Sequence, residues 1–71
     1  MSKAIARMAK IVALLESGIS TAEKMAAENK ASLRQTYRDI AALKAIGMPI
    51  EGEAGLGYAL RVRKGAGLSH G

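Results

Sequence analysis

Between Ala4 and Leu15 the larger apolar residues fall at Ile5, Met8, Val12 and Leu15, with Ile11 and Leu14 beside them. This is the period of an amphipathic helix, with Ile5, Met8, Val12 and Leu15 as the inward stripe and Ile11 and Leu14 widening it. Lys3, Arg7 and Lys10 recur at intervals of three and four residues, which makes a ridge on another side and reads as a solvated face. Gly18 suits the end of this helix, and "GIS" (18–20) leaves room for one short extended segment. Ser20 followed by Glu23 is a capping box, so a second, short helix is predicted from Thr21 to about Glu28, with Ala22, Met25 and Ala26 inward.

Only Asn29, Lys30 and Ala31 separate that helix from the stretch "SLRQTYRDIAALKAIG" (32–47). Asn29 suits a left-handed position after a helix, and Ser32 with Gln35 forms a second capping box, so the connection is a tight turn. On a helical wheel Leu33, Thr36, Ile40 and Leu43 share one side, and Arg34, Gln35, Arg38, Ala41 and Ala45 share the other. A core-filling helix has no need to open on long hydrogen-bonding side chains. Two short-linked helices, the second with a polar opening, are the pattern of a helix-turn-helix.

Gly47 and Pro49 end the third helix at about residue 46. The residues that follow read as a hairpin over about 49–62. Ile50 opens one strand, Tyr58 to Val62 alternate as the other, and Gly52, Gly55 and Gly57 supply the turn. Such a ribbon needs the helices to support it. The expected fold is therefore mainly α with a small β-hairpin, a three-helix helix-turn-helix followed by a two-stranded ribbon over residues 1–62. Residues 63–71 show no periodicity and are expected to form a flexible basic tail.

Composition narrows the chemistry. With 71 residues there is room for one domain, whose core at this size contributes only about 3 to 5 kcal/mol of net stability. There is no cysteine, and the single histidine is His70, so disulfides and zinc are set aside and no metal or cofactor is implied. No carboxylate pair shares a face with a nucleophile, and an enzyme is not expected. Neither phenylalanine nor tryptophan is present, so small aliphatic residues must pack closely spaced helices. The longest apolar run of the first helix, "IVALL", is too short to span a bilayer, and the basic ridge lacks an aromatic anchor. A cytoplasmic protein without membrane contact or small-molecule ligand is expected.

Eleven lysines and arginines against six acids leave a net charge of +5. The cations concentrate in the first helix (Lys3, Arg7, Lys10), the third (Arg34, Arg38, Lys44) and after Leu60 (Arg61, Arg63, Lys64). A polyanionic partner fits this distribution, as does a basic but merely solvated surface. Arginine can bond guanine and glutamine can bond adenine through two hydrogen bonds each. Asp39 is expected to orient a neighbouring basic side chain.

The strings "LLESGISTAEKMA", "TYRDIAALKAIGMPIEGE" and "GLGYAL" resemble the winged helix-turn-helix family of the DeoR type, as in the N-terminal domains of WYL-domain transcriptional regulators, over roughly residues 5–62. The resemblance implies sequence-specific binding of double-stranded DNA by a transcriptional regulator. Thr21 and Ser32 would hold phosphates at helix starts, and the face of Arg34, Gln35, Tyr37 and Arg38 would enter the major groove. The hairpin would flank it through Gly57 and Arg61, with Glu51 and Glu53 turned away from the phosphates. A single module buries only about 600 to 1,000 Å² on DNA, so a homodimer on a two-fold site is expected. Gln35 stands where family members commonly carry a threonine, Thr36 where they carry a buried valine, and Ala59 where an arginine is frequent. The long C-terminal sensing domain of those regulators has no counterpart in these residues, which fits either an excised domain or a small stand-alone regulator. The alternative is a winged-helix protein-protein interaction module whose basic face is only a solvated surface.

Overall fold

Each helix begins at a hydroxyl that accepts from backbone N–H groups left without an intrahelical partner. In the computed structural model, which describes residues 2–61, these caps are Ser2, Thr21 and Ser32. They start α1 (Lys3–Glu16), α2 (Ala22–Asn29) and α3 (Leu33–Ala45). Two strands follow, β1 (Ile50–Glu53) and β2 (Gly57–Leu60), paired antiparallel with Ile50 opposite Leu60 and Glu53 opposite Gly57. The mainly helical architecture with a terminal hairpin is the one expected. Val62 and the tail at 63–71 lie outside the described residues.

The second cap corrects the sequence reading. Thr21, not Ser20, accepts from the N–H of Lys24, at 3.1 Å. Ser20 is instead held in a bridge to the hairpin. Its N–H donates to the Tyr58 carbonyl at 2.9 Å, and the Tyr58 N–H donates to its carbonyl at 2.7 Å. The short extended segment expected at 18–20 is thus a third, one-residue strand that fastens the wing to the helices. The left-handed residue after α2 also moves by one position. It is Lys30 (φ 53°, ψ 42°), while Asn29 stays helical. Asn29 uses its amide elsewhere, donating from Nδ2 to the carbonyl of Arg7 at 3.2 Å. Ala31 and Lys30 then donate back to Ala26 and Ala27, the reciprocal pair that closes a helix before a left-handed residue. Gly47 (φ 99°) ends α3 in the same way, with Met48 donating to Leu43 and Gly47 to Lys44.

The core gathers Ile11 and Leu15 from α1, Ala22 and Met25 from α2, Ile40 and Leu43 from α3, Ile50 from β1 and Tyr58 from β2. In α1 the buried centre falls on a flanking position of the expected stripe, beside the expected Leu15. Ile11 is fully buried and Ile5 is 60% exposed, while Met8, Val12 and Leu14 only flank the core. Arg7 lies on the same side of α1 as Ile11, and its side chain reaches Asp39 of α3. Thr36, in the interior of α3, is fully buried and satisfies its hydroxyl by donating to the Ser32 carbonyl at 2.9 Å. In the hairpin, Gly52 (φ 125°) lies so close to the Gly57 carbonyl that any side chain at 52 would collide with backbone. That closeness is why the strand carries a residue poorly suited to strands in general.

The two assignments of the second cap separate experimentally. Thr21→Ala is expected to lower stability by about 1 kcal/mol in chemical denaturation. Ser20→Ala, which removes a buried hydroxyl without a hydrogen-bond partner among the described residues, is expected to change it by less than about 0.5 kcal/mol. The reverse order would restore Ser20 as the cap.

Candidate nucleic-acid interface

The tight turn between α2 and α3 leaves the start of α3 at the surface while its later turns sink into the core. Thr36, Asp39, Ile40 and Leu43 are buried, and Arg34, Arg38, Ala41 and Ala45 are exposed. Residues spaced by four, three and four lie along a single stripe. Two guanidinium groups therefore stand on the outer face, followed by two methyl groups that let another molecule come close. Among the described residues, neither Arg34 nor Arg38 forms an ion pair or a side-chain hydrogen bond.

Beside this stripe lies a network that the sequence reading did not place. Arg7 of α1 grips Asp39 with both arms of its guanidinium, Nε to Oδ2 at 2.7 Å and Nη2 to Oδ1 at 3.1 Å. Gln35 adds a third donor, Nε2 to Oδ1 at 3.0 Å. Asp39 is only 2% exposed and Arg7 22%. The hydrogen bonds from Arg7 hold the Asp39 carboxyl below its ordinary value of 3.8 against the opposing effect of burial, with Gln35 and the charges of Arg7 and Arg38 adding to the shift. The same bond raises Arg7. Asp39 orients a basic side chain, but not the expected sequence neighbour. That side chain is Arg7, 32 positions away, and Arg7 accordingly leaves the solvated ridge assigned to it.

The ridge that remains borders an open cleft of about 660 Å³ between α1 and the turn. Lys3, Ala6, Arg7 and Lys10 form one wall, and residues 29–32 with Gln35 form the other. Lys3, Lys10 and Lys30 bring cations to it, and Ser32 places the start of α3 on its rim. Backbone N–H groups at a helix start favour anions, and so does this charge. Lys30 had no signal in the sequence, since its place depends on the left-handed turn.

The other expected site residues are dispersed. Thr21 is exposed at the start of α2, and Tyr37 is half-buried against the core. Gly57 is buried in β2, where a Cβ would meet Ile19 Cγ2 at 2.9 Å. Arg61 pairs with Glu51 at 3.1 Å, both side chains well exposed. Arg61 lies beyond the Ile50–Leu60 pair, so Glu51 is its diagonal neighbour across the ribbon. Glu51 therefore points towards the wing's cation, and an exposed pair of this kind is weak enough to open for another anion.

Three helices, a tight turn between the second and third, and a hairpin packed beside them define a helix-turn-helix protein with a wing. A family model described as an HTH domain matches residues 7–59, and the chain belongs to that family. Helix-turn-helix domains are a DNA-binding and non-catalytic kind. No curated protein and no solved structure matches the chain. Among the described residues no helix is long and apolar enough to cross a membrane.

The depressed carboxyl links this network to stability. Because Asp39 titrates lower in the folded chain than its ordinary value, its contribution is complete above about pH 4 and fades as pH falls through the lower, folded value. Thermal unfolding followed from about pH 7 down to about pH 2 is expected to show an acid limb that Asp39→Asn flattens. An unchanged acid limb in the variant would assign it to other carboxylates.

Proposed function

We propose that the domain binds double-stranded DNA sequence-specifically and serves transcriptional control, in the manner of the DeoR-type winged regulators it resembles. In this reading α3 lies in the major groove with Arg34 and Arg38 at base edges and Gln35 beside them. Ala41 and Ala45 allow the close approach. Thr21 and Ser32 sit at phosphates, and Lys3, Lys10 and Lys30 line the path of one backbone strand. Tyr37 supports the inner edge of the helix. The hairpin flanks the groove with Arg61, and Gly57 acts through the shape it gives the wing. A single module buries only about 600 to 1,000 Å² of its surface on DNA, so two copies on a two-fold site supply the specificity. The cytoplasm is the matching location.

One observation carries the proposal: Arg34 and Arg38 are exposed on one stripe and are not committed to any described acid, whereas Arg7 and Arg61 are. Leaving guanidinium groups free beside small residues suits bidentate recognition of bases. A protein partner is the second reading, favoured by the exposure of Ile19, Ile46 and Leu56.

Sites selected from a random duplex library provide the test. Arg34→Ala and Arg38→Ala are each expected to weaken binding to the selected site by about 1 to 3 kcal/mol and to relax base choice. Lys10→Ala is expected to weaken selected and scrambled duplexes alike and to reduce the salt slope by about 0.9, the loss of one phosphate contact. A wild type that shifts no duplex even at low salt would select the protein partner instead.

A further inference from the structure

Gln35 stands at the border between the exposed stripe of α3 and the side that packs on α1, and its terminal amide is not free to turn. Nε2 donates to Asp39 Oδ1 at 3.0 Å, and Arg7 holds that carboxylate through both oxygens. An ionised carboxylate offers lone pairs and no hydrogen. Only the NH2 end of Gln35 can therefore face it, since the flipped amide would set one oxygen against another. A glutamine on an open surface can present either end to a ligand. Here the choice is made before a ligand arrives.

The consequence concerns which base is read. A primary amide has two N–H donors, and Asp39 engages one. The carbonyl Oε1 and the second N–H remain. In the major groove adenine presents an acceptor (N7) and a donor (the N6 amino group), which match that pair, whereas guanine presents two acceptors, N7 and O6. Turning the carbonyl towards guanine O6 would be repulsive, and turning the donor there would require the amide to leave Asp39.

We propose that Asp39, clamped by Arg7, is a positioning residue that locks the Gln35 amide with its carbonyl outward and so makes Gln35 a reader of adenine that rejects guanine. The inference rests on the DNA-binding reading above, and it goes beyond it by tying one base preference to a buried ion pair. Arg7 and Asp39 need not touch DNA.

The test repeats the selection from random duplexes with wild type, Gln35→Ala and Asp39→Asn. The wild type is expected to enrich adenine at one position that becomes unselective in Gln35→Ala. An asparagine at 39 can donate as well as accept, so the Gln35 amide can turn. In Asp39→Asn the adenine-over-guanine preference at that position is expected to fall about tenfold, while the positions that depend on Arg34 and Arg38 keep their bases. An adenine preference that survives Asp39→Asn, or a Gln35→Ala variant with every position unchanged, overturns the proposal and leaves DNA binding intact. A wild type that enriches no sequence overturns the DNA-binding reading and this inference with it.

A second measurement needs no variant to fold. Gln35 is the only glutamine and Asn29 the only asparagine, so the side-chain amide signals of the protein are few enough to assign directly by NMR. In the protein without DNA, one Gln35 amide proton is expected to exchange with water about tenfold more slowly than an exposed amide does, as a donor held in a hydrogen bond is protected. Free exchange of both protons in the unbound protein overturns the lock.

Discussion

The Arg7–Asp39 ion pair governs the arrangement of this domain. It joins the first helix to the third through two hydrogen bonds at 2.7 and 3.1 Å, while Asn29 at the end of α2 donates to the carbonyl of the same Arg7. All three helices therefore meet on one residue. Burying a carboxylate is costly unless its lone pairs are satisfied, and here three donors from two helices supply them. Because Asp39 must face Arg7, α3 has one rotation about its axis. Thr36, Ile40 and Leu43 turn inward with Asp39, and Arg34, Arg38, Ala41 and Ala45 turn outward. Orientation matters more than usual in a core that lacks Phe and Trp, because Ala22 and Ala26 allow close approach but offer little shape to specify an angle.

The same pair sorts the charges. A formal charge of +5 says only that the chain is basic. In the fold, Asp39 takes Arg7 out of the available cations and Glu51 occupies Arg61, loosely and at the surface. Arg34 and Arg38 on the outer stripe, and Lys3, Lys10 and Lys30 along the neighbouring cleft, have no described acid, and neither do Lys24 and Lys44 elsewhere on the helices. Ser32 and Gln35, in the opening of α3, line that cleft. A polyanion laid there meets cations that lose no internal partner on binding, whereas a contact to Arg61 must first displace Glu51. Among the described residues the wing thus offers one cation, Arg61, which is already paired, and Ala59 stands opposite Glu51.

Much of this was legible in the chain. The three helices, the hairpin and the outer stripe of α3 follow from short-range signals: apolar spacing, hydroxyls at helix starts, glycine and proline at their ends. Tertiary pairing decided the rest. Apolar spacing gave Ile5 and Ile11 places on one broad stripe, and only the packed fold shows Ile11 fully buried and Ile5 largely exposed. Ser20 and Thr21 are equally good caps by chemistry, and the choice falls to Thr21 because Tyr58 claims the backbone of Ser20. Asn29 is the better left-handed residue by propensity, yet its amide serves α1 and the turn passes to Lys30. The cleft was invisible for the same reason: its walls come from segments that adjoin only after Arg7 and Asn29 have met. The Glu51–Arg61 pair likewise depends on the hairpin register, which alternation alone does not specify.

A shared carboxylate has consequences for how such a surface can change. Arg34 and Arg38 touch no described side chain through a polar contact, and substitutions at exposed positions of this kind usually shift stability by no more than about 0.5 kcal/mol. Base preference at the outer stripe is therefore free to vary with little effect on folding. Gln35 is different, because its amide completes the hydrogen bonding of Asp39, which in turn orients α1. Small domains hold only about 3 to 5 kcal/mol in reserve, so an alteration that removes a donor from a buried carboxylate takes a sizeable part of it. The inner edge of α3 is consequently constrained by the fold and the outer face by the ligand alone. Residue 35 lies where the two constraints meet, and a change of specificity there requires either a side chain that still donates to Asp39 or a compensating change in the pair that holds the helices together.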